Sequence, residues 1–262
     1  MIFNALNSNE TPLLTLIMPV LNDGVKIIPS VCTLAFTVKV PLTLIIVYDS
    51  PHDPTVEVIN DLKSSFNNIS LIKNEGIKVI GAITTGIKYC KTDVLGIWIP
   101  YHIDPYGLVN KMYDLITIYD CSLVSGNRFN KVKRISRGSA IKKLVSRGGN
   151  YILNRLIGVP LGDITTSIKL YKLEFIRQNN IETKINGGWA FSTELSLKAA
   201  IKGYPMGEVE FKPENTNIIH GVTNFKVFKY LGHYIKLLFW GITKRKTIKN
   251  NYSGNKNFFR ID

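Results

Sequence analysis

Short apolar runs alternate with longer, helix-like stretches through the first hundred residues. Leu14–Val20 and Leu42–Tyr48 are β-branched, apolar and of strand length, and Ile69–Ile72 and Val94–Ile99 repeat the pattern more briefly. Pro54–Ser65 and Gly81–Cys90, between them, read as helices. This β-α-β rhythm predicts a mostly parallel sheet flanked by helices. Such sheets bind ligands beyond the carboxyl ends of their strands, so the chemistry is expected just after each apolar run. There the chain places Pro19-Val20-Leu21-Asn22-Asp23, then Tyr48-Asp49-Ser50-Pro51-His52-Asp53, then Asn74-Glu75-Gly76-Ile77-Lys78, then Pro100-Tyr101-His102-Ile103-Asp104-Pro105. Any one of these segments is an ordinary turn; four in succession point to one polar rim.

Composition narrows the class. The chain has 262 residues, 45% of them apolar and 20% charged, which fits one large globular domain or two small ones and excludes wholesale disorder. The formal charge of +14 points to an anionic partner: nucleic acid, anionic lipid or a phosphorylated ligand. Cys32, Cys90 and Cys121 form neither a CxxC pair nor an even framework, so reduced thiols are expected. The start of the chain lacks the basic and apolar regions of a signal peptide, and no apolar run reaches spanning length. A soluble or peripheral protein is expected.

The positive charge is concentrated late. From Asn215 to Arg260 there is no acidic residue. Lys226–Ile242 has apolar residues at helical spacing, namely Val227, Phe228, Leu231, Tyr234, Ile235, Leu238, Phe239 and Ile242, with Trp240 near its end and Lys244-Arg245-Lys246 after it. This pattern suits a helix lying on an anionic membrane and equally suits a helix packed on the domain.

The rim residues resemble a family-2 glycosyltransferase of GT-A fold, in its dolichol- or polyprenyl-phosphate mannosyltransferase-like branch. Ile17-Met18-Pro19-Val20-Leu21-Asn22-Asp23 stands for an "IPxYNE"-like segment, and Val47-Tyr48-Asp49-Ser50-Pro51-His52-Asp53-Pro54-Thr55 for "VDDGSxDxT". Asn74, Gly76, Ala82 and Gly86 fit an "NxGxGxxxAxxxG" pattern, with Lys78 inside it. Later, Gly126-Asn127-Arg128-Phe129 resembles "GSRY", Gly158 to Tyr171 resembles "GlpvrDxtsgfrly", and Gly188 to Leu195 resembles "gfefsxEl". The likeness spans residues 14 to 240. It implies an extension over 1–12, a GT-A domain over 13–225 with a donor half (13–110) and an acceptor half (111–225), and a basic amphipathic helix and tail over 226–262.

The resemblance also implies roles. A nucleoside-diphosphate sugar would meet Pro19, Val20, Asn22, Asp23, Asp49, Asp53, Asn74, Lys78 and Tyr101, with Asp49 accepting from the base. The family's acidic DxD segment is altered here, leaving Asp104 with His102 two residues earlier. That pair either holds Mn²⁺ or Mg²⁺ weakly or has lost the metal. Arg128, Arg134, Arg137 and Ser139 are candidates for an acceptor phosphate, because guanidinium groups pair bidentately with phosphate oxygens. Asp104, Asp163 and Arg128 are the candidate catalytic residues. Asp163 and Glu194 are the carboxylates to test as a base if the acceptor is a hydroxyl, Asp163 otherwise bracing the acceptor loop. The expected activity is sugar transfer, with inversion, to a lipid phosphate on the cytoplasmic face of a membrane. The alternatives are a soluble glycosyltransferase of surface-polysaccharide assembly and a catalytically weakened binding domain. No stacking motif supports nucleic-acid binding.

Overall fold

A computed structural model describes residues 4–104, 107–129, 148–179, 188–211 and 227–261, the side chains of 227–231 and 255 excepted. The first strand, β1 (Leu14–Val20), follows the apolar run. After it come α1 (Ile28–Thr37), β2 (Leu42–Tyr48), α2 (Pro54–Leu62), β3 (Ile69–Lys73), α3 (Lys78–Lys88), β4 (Val94–Ile97), α4 (Leu108–Thr117) and β5 (Leu123–Asn127). A π-helical turn (Ile152–Ile157), β6 (Lys169–Lys172), α5 (Leu173–Gln178), α6 (Phe191–Lys202), β7 (Met206–Glu210), α7 (Val227–Thr243), α8 (Arg245–Asn251) and β8 (Phe258–Ile261) complete it.

Among the described residues eight strands form one sheet in the order β3-β2-β1-β4-β6-β5-β7-β8. Only β6 runs against its neighbours. The carboxyl ends of the other seven and the start of β6 therefore share one edge. The chain winds outward from β1 to β3 and returns to β4 on the other side of β1. This is the topological switch that opens a ligand crevice.

Alternation along β1 shows how the layers are made. Leu14, Leu16 and Met18 pack with Val31, Leu34 and Ala35 of α1 and Met112 and Leu115 of α4. Ile17 faces the opposite layer with Ile80 and Ile83 of α3 and Leu195 and Ala199 of α6. Burying one such Leu or Ile stabilises by about 1.5–3 kcal/mol. Helix α3 comes close to the sheet at Gly86, where a Cβ would lie 2.4 Å from Ile17 Cγ2. Asp53 caps α2 by accepting the Thr55 N–H at 2.8 Å, with Pro54 in the first turn.

Both ends of the chain join this body. Within the expected extension, residues 4–6 pack against the domain. Ala5 and Leu6 are fully buried, Ala5 N–H donates to Ala35 O at 2.8 Å, and Leu42 and Asn68 N–H donate back to Ala5 O and Leu6 O. Within the expected basic helix and tail, β8 pairs in parallel with β7. The apolar face expected on α7 splits. Tyr234, Leu237, Leu238, Trp240 and Gly241 are turned inward to varying depth, while Ile235, Phe239 and Ile242 are exposed. Gly241 lets α7 meet the π-helical turn, since a Cβ there would lie 2.7 Å from Ile157 Cδ1. Among the described residues no helix is long and apolar enough to cross a membrane.

Candidate active site

The expected donor side lies over β1 to β4. Asp49 is exposed just beyond β2, and its Oδ1 accepts from Asn74 Nδ2 at 2.6 Å. Asn74 is itself fixed: Nδ2 also donates to Lys78 O, and Oδ1 accepts the Gly76 N–H at 2.8 Å. One carboxylate is thus oriented at the crevice edge with its surroundings open to a ligand. Lys78 is exposed beside it in a left-handed conformation at φ 58°.

Other expected donor contacts turn out to build the loop. Asp53 is 4% exposed, with Oδ1 on Thr55 N–H and Oδ2 on Asn22 N–H at 2.8 Å each. Thr55 Oγ1 accepts the N–H groups of Asp23 and Gly24. Asp23 Oδ2 accepts the Leu21 N–H at 2.9 Å. Together these hold Asn22 at φ 57° and present its exposed side chain at the crevice. Val20 is buried and Pro19 half-buried in β1, so Val20 has only backbone to offer.

The expected metal pair, His102 and Asp104, lies between β4 and α4. Asp104 is 2% exposed, and its two oxygens accept the N–H groups of Leu108 (2.7 Å) and Val109 (3.0 Å). It holds the first turn of α4, where a carboxylate also complements the helix dipole. His102 lies edge-on between Trp98 and Phe211, at 4.9 and 5.4 Å between ring centroids. Burial, with Arg128 adding to it, pushes its pKa down to about 4. Among the described residues no three His, Cys, Asp or Glu side chains gather as a metal site. Asp104 is thus engaged at the start of α4, and His102 is held between two aromatic rings.

Arg128 and Asp163 do come together. Arg128 follows β5, and its Nε and Nη2 donate to Asp163 Oδ2 (2.6 Å) and Oδ1 (2.9 Å). The Arg128 N–H also donates to Oδ2, and Nη2 reaches Thr165 Oγ1 at 3.2 Å. Asp163 is fully buried, whereas the Arg128 side chain is 36% exposed. Burial opposes ionisation of Asp163 most strongly, but the charge and hydrogen bonds of Arg128 outweigh it and hold the carboxyl below its ordinary value. An ionised carboxylate so engaged is a brace for Arg128, not a proton acceptor. Asn150 supports the same loop, accepting Ile164 N–H at 2.7 Å and donating to Thr165 Oγ1. Glu194 is paired with Lys198 at 2.6 Å.

Two tyrosines feel the charge of this cation. Burial raises the pKa of Tyr101, beyond β4, to about 12, with Asp23 raising it further and Arg128 lowering it. Tyr234 of α7 is pushed up to about 12 by burial and lowered by Arg128. Tyr101 thus feels the charges of both Asp23 and Arg128, and Tyr234 of α7 feels that of Arg128. Arg134, Arg137 and Ser139 lie outside the described residues.

Three residues of this cluster were not singled out from the sequence. Lys169, fully buried at the start of β6, donates to Ile164 O (2.7 Å), Thr166 O (2.9 Å) and Ser192 Oγ (2.7 Å). Burial pushes its pKa down to about 7, with Asp163 and Glu208 pulling it back up. Glu208 of β7 accepts the N–H groups of Gly162 and Asp163, and Arg260 of β8 pairs with Glu208. Lys169 sits inside a quoted motif, but Glu208 and Arg260 carry no local signal; strand register alone makes them neighbours.

The profile of glycosyl transferase family 2 matches residues 15–179. Among solved structures, glucosyl-3-phosphoglycerate synthase from Mycobacterium tuberculosis, bound to Mn²⁺, UDP and glucosyl-3-phosphoglycerate, is similar at 14% identity and TM-score 0.62, over 89% of this chain and 80% of that one. S. aureus TarS 1–349 with UDP is similar at 10% identity and TM-score 0.56, over 92% and 72%. These likenesses establish a shared fold, the GT-A architecture of nucleotide-sugar transferases. The family match covers well over half of the sequence and both halves of the crevice, from β1 to the Arg128–Asp163 pair: the chain belongs to glycosyl transferase family 2, and is a glycosyltransferase.

Proposed function

We propose that the chain transfers a sugar from a nucleoside-diphosphate donor, bound over β1 to β4, to a lipid phosphate that pairs with Arg128. The observation that carries this reading is Arg128 itself: a guanidinium locked bidentately onto a buried carboxylate, half turned to solvent at the same sheet edge as Asp49. A fixed cation there suits an anionic acceptor. The mycobacterial structures support a phosphorylated acceptor in this fold, since they contain phosphoglyceric acid or its glucosyl product with UDP.

A phosphate acceptor is already ionised near neutral pH and needs no general base, which agrees with Asp163 being engaged elsewhere. Its oxygen forms a bond to the anomeric carbon while the bond from that carbon to the donor's β-phosphate oxygen breaks. The electron pair leaves with the nucleoside diphosphate. Asp49 orients the base, Arg128 aligns the acceptor, and placement supplies much of the rate. Mn²⁺ or Mg²⁺ accompanies UDP in the mycobacterial structures. In this chain the described residues lack a ligand cluster for such an ion. The donor's diphosphate oxygens would be its main ligands.

A lipid, rather than a small phosphate, is favoured by the exposed apolar residues of α7 and the π-helical turn it packs on. Ile235, Phe239 and Ile242 of α7 are exposed, as are Tyr151 and Leu156 of the turn against which α7 packs. Lys236, Lys244, Arg245 and Lys246 lie on the same segment. Apolar residues edged with cations suit an anionic membrane, on the cytoplasmic face where nucleotide sugars are made. Thermal stability with UDP, GDP, CDP and dTDP, with and without Mn²⁺ or Mg²⁺, identifies the donor by the one nucleotide that raises the midpoint. The matching radiolabelled sugar nucleotides then face polyprenyl phosphate in anionic vesicles or 3-phosphoglycerate in solution. Label in the lipid phase supports the proposal. Label on phosphoglycerate alone replaces it with a soluble acceptor, and nucleotide binding without transfer to either excludes the lipid-phosphate acceptor.

A further inference from the structure

The cation at the acceptor side is linked to the far edge of the sheet. Glu208 of β7 stands in register with Arg260 of β8. Glu208 is fully buried, while the Arg260 side chain is 42% exposed. Oε2 of Glu208 takes the Arg260 guanidinium, and Oε1 takes the N–H of Gly162 at 2.6 Å and of Asp163 at 3.1 Å. Gly162 allows this contact: a Cβ there would lie 2.8 Å from Asn127 Nδ2 and 3.3 Å from Glu208 Oε2. The Asp163 carboxylate then holds Arg128 by two side-chain bonds. Continuous hydrogen bonds thus run from Arg260 through Glu208 and the Gly162–Asp163 peptide to Arg128.

Stability alone does not account for this arrangement. A buried ion pair is often no more stabilising than apolar residues of like volume, because desolvation offsets the attraction. Burial indeed works against the Glu208 carboxylate, raising its pKa despite Arg260 and the two N–H groups that lower it. The pair does fix direction, since a carboxylate tied on both oxygens cannot rotate. We propose that Arg260 is a positioning residue for Arg128, acting through Glu208 and the Gly162–Asp163 peptide, so that the C-terminal strand sets the acceptor-side geometry. The consequence for acceptor binding rests on the reading of Arg128 given above; the mechanical link does not.

The test uses the full ¹⁵N-labelled chain and the solvent exchange of the Arg128 Nε–H, assigned by its loss in Arg128→Lys. Backbone amides of Leu16 and Ile17 in β1 report global opening. Arg260→Met is expected to speed Arg128 Nε–H exchange at least tenfold relative to those amides, and Arg260→Lys to restore most of the protection. Glu208→Gln/Arg260→Met leaves no buried unpaired charge and serves if Arg260→Met folds poorly; it too is expected to show fast exchange. Geranyl phosphate, as a soluble lipid-phosphate probe, is expected to bind at least fivefold more weakly to Arg260→Met, with affinity for the stabilising nucleotide within twofold of the parent. Exchange within twofold of the parent in both Arg260→Met and the double variant overturns the proposal. If Arg128→Ala binds geranyl phosphate as the parent does, the acceptor assignment fails, while the exchange rates still decide the link.

Discussion

Removing the Arg128 guanidinium isolates the energetics of the site. In Arg128→Met the fully buried Asp163 loses its two charged donors at 2.6 and 2.9 Å. It keeps neutral ones: the residue-128 N–H at 3.2 Å, Thr165 Oγ1 at 3.2 Å and Asn150 Nδ2 at 3.4 Å. Removing one partner of a buried ion pair costs about 3–5 kcal/mol. Arg128 is 36% exposed, so solvent already screens the pair, and the remaining donors compensate in part. The expected loss is therefore about 2–3 kcal/mol, or about 4–10 °C in Tm for a chain of this size. Asp163→Asn/Arg128→Met should recover most of it, because no charge is left buried. The pH dependence has a definite sign. With Arg128 present, the Asp163 pKa lies below its unfolded value of 3.8, so the contribution is complete above that pH and lost as pH falls through the folded value. Without Arg128, burial raises the carboxyl pKa, and the penalty shrinks as acid supplies the proton. Urea unfolding at pH 6.0 and 4.5, both below the value of about 7 for Lys169, should show the gap between parent and Arg128→Met narrowing in acid. A gap below about 0.5 kcal/mol, or one equal at both pH values, would refute the bracing account.

Other consequences are independent of that pair. Asp49→Ala should weaken the stabilising nucleotide about tenfold or more in calorimetry, the worth of a charged hydrogen bond, with little effect on Tm because the residue is exposed. Lys169 has a folded pKa near 7, below its ordinary 10.5, so its penalty is full below pH 7 and is relieved as pH rises toward 10. Parent stability should rise over that window relative to Lys169→Met, by on the order of 1 kcal/mol per pH unit at the steepest point, measured by urea unfolding. Ile235→Glu/Phe239→Glu should abolish co-sedimentation with anionic vesicles and leave Tm within about 2 °C, since both side chains are exposed.

The strands that were readable in advance share one physical property. Residues 14–20 and 42–48 are buried on both faces, so each is a continuous apolar run, and the observed limits of β1 and β2 coincide with it. β7 and β8 lack that property. Met206–Glu210 contains a glycine and two glutamates, and Phe258–Ile261 follows a lysine-rich stretch, so local pattern hides both. Ala5 and Leu6 are two apolar residues among Asn and Ser, too few to signal burial. Asp104 carries a signal that is local: an acid four residues before an apolar helical stretch marks a helix start, and Asp104 accepts the Leu108 N–H there. The positions of Asp49, Asn74 and Arg128 at the sheet edge were legible because each follows a strand whose carboxyl end lies there.

What remained hidden is the part of the site that depends on distant pairing. Arg128 takes its direction from Asp163, 35 residues away, and Asp163 takes its backbone position from Glu208, 45 residues further on. Each link is a single charged residue with no periodic companion, so sequence spacing carries no trace of it. Yet the parallel pairing of β5, β7 and β8 makes the outcome unavoidable once the sheet is formed. Residues at the carboxyl ends of β5 and β7 must converge on one edge, and Arg260 must face Glu208. A slip of one residue between β7 and β8 would turn Arg260 to the other face of the sheet and leave Glu208 buried without its cation. The register of a short C-terminal strand is therefore under the same constraint as the cation at the mouth of the crevice, and a change at either end should be felt at the other.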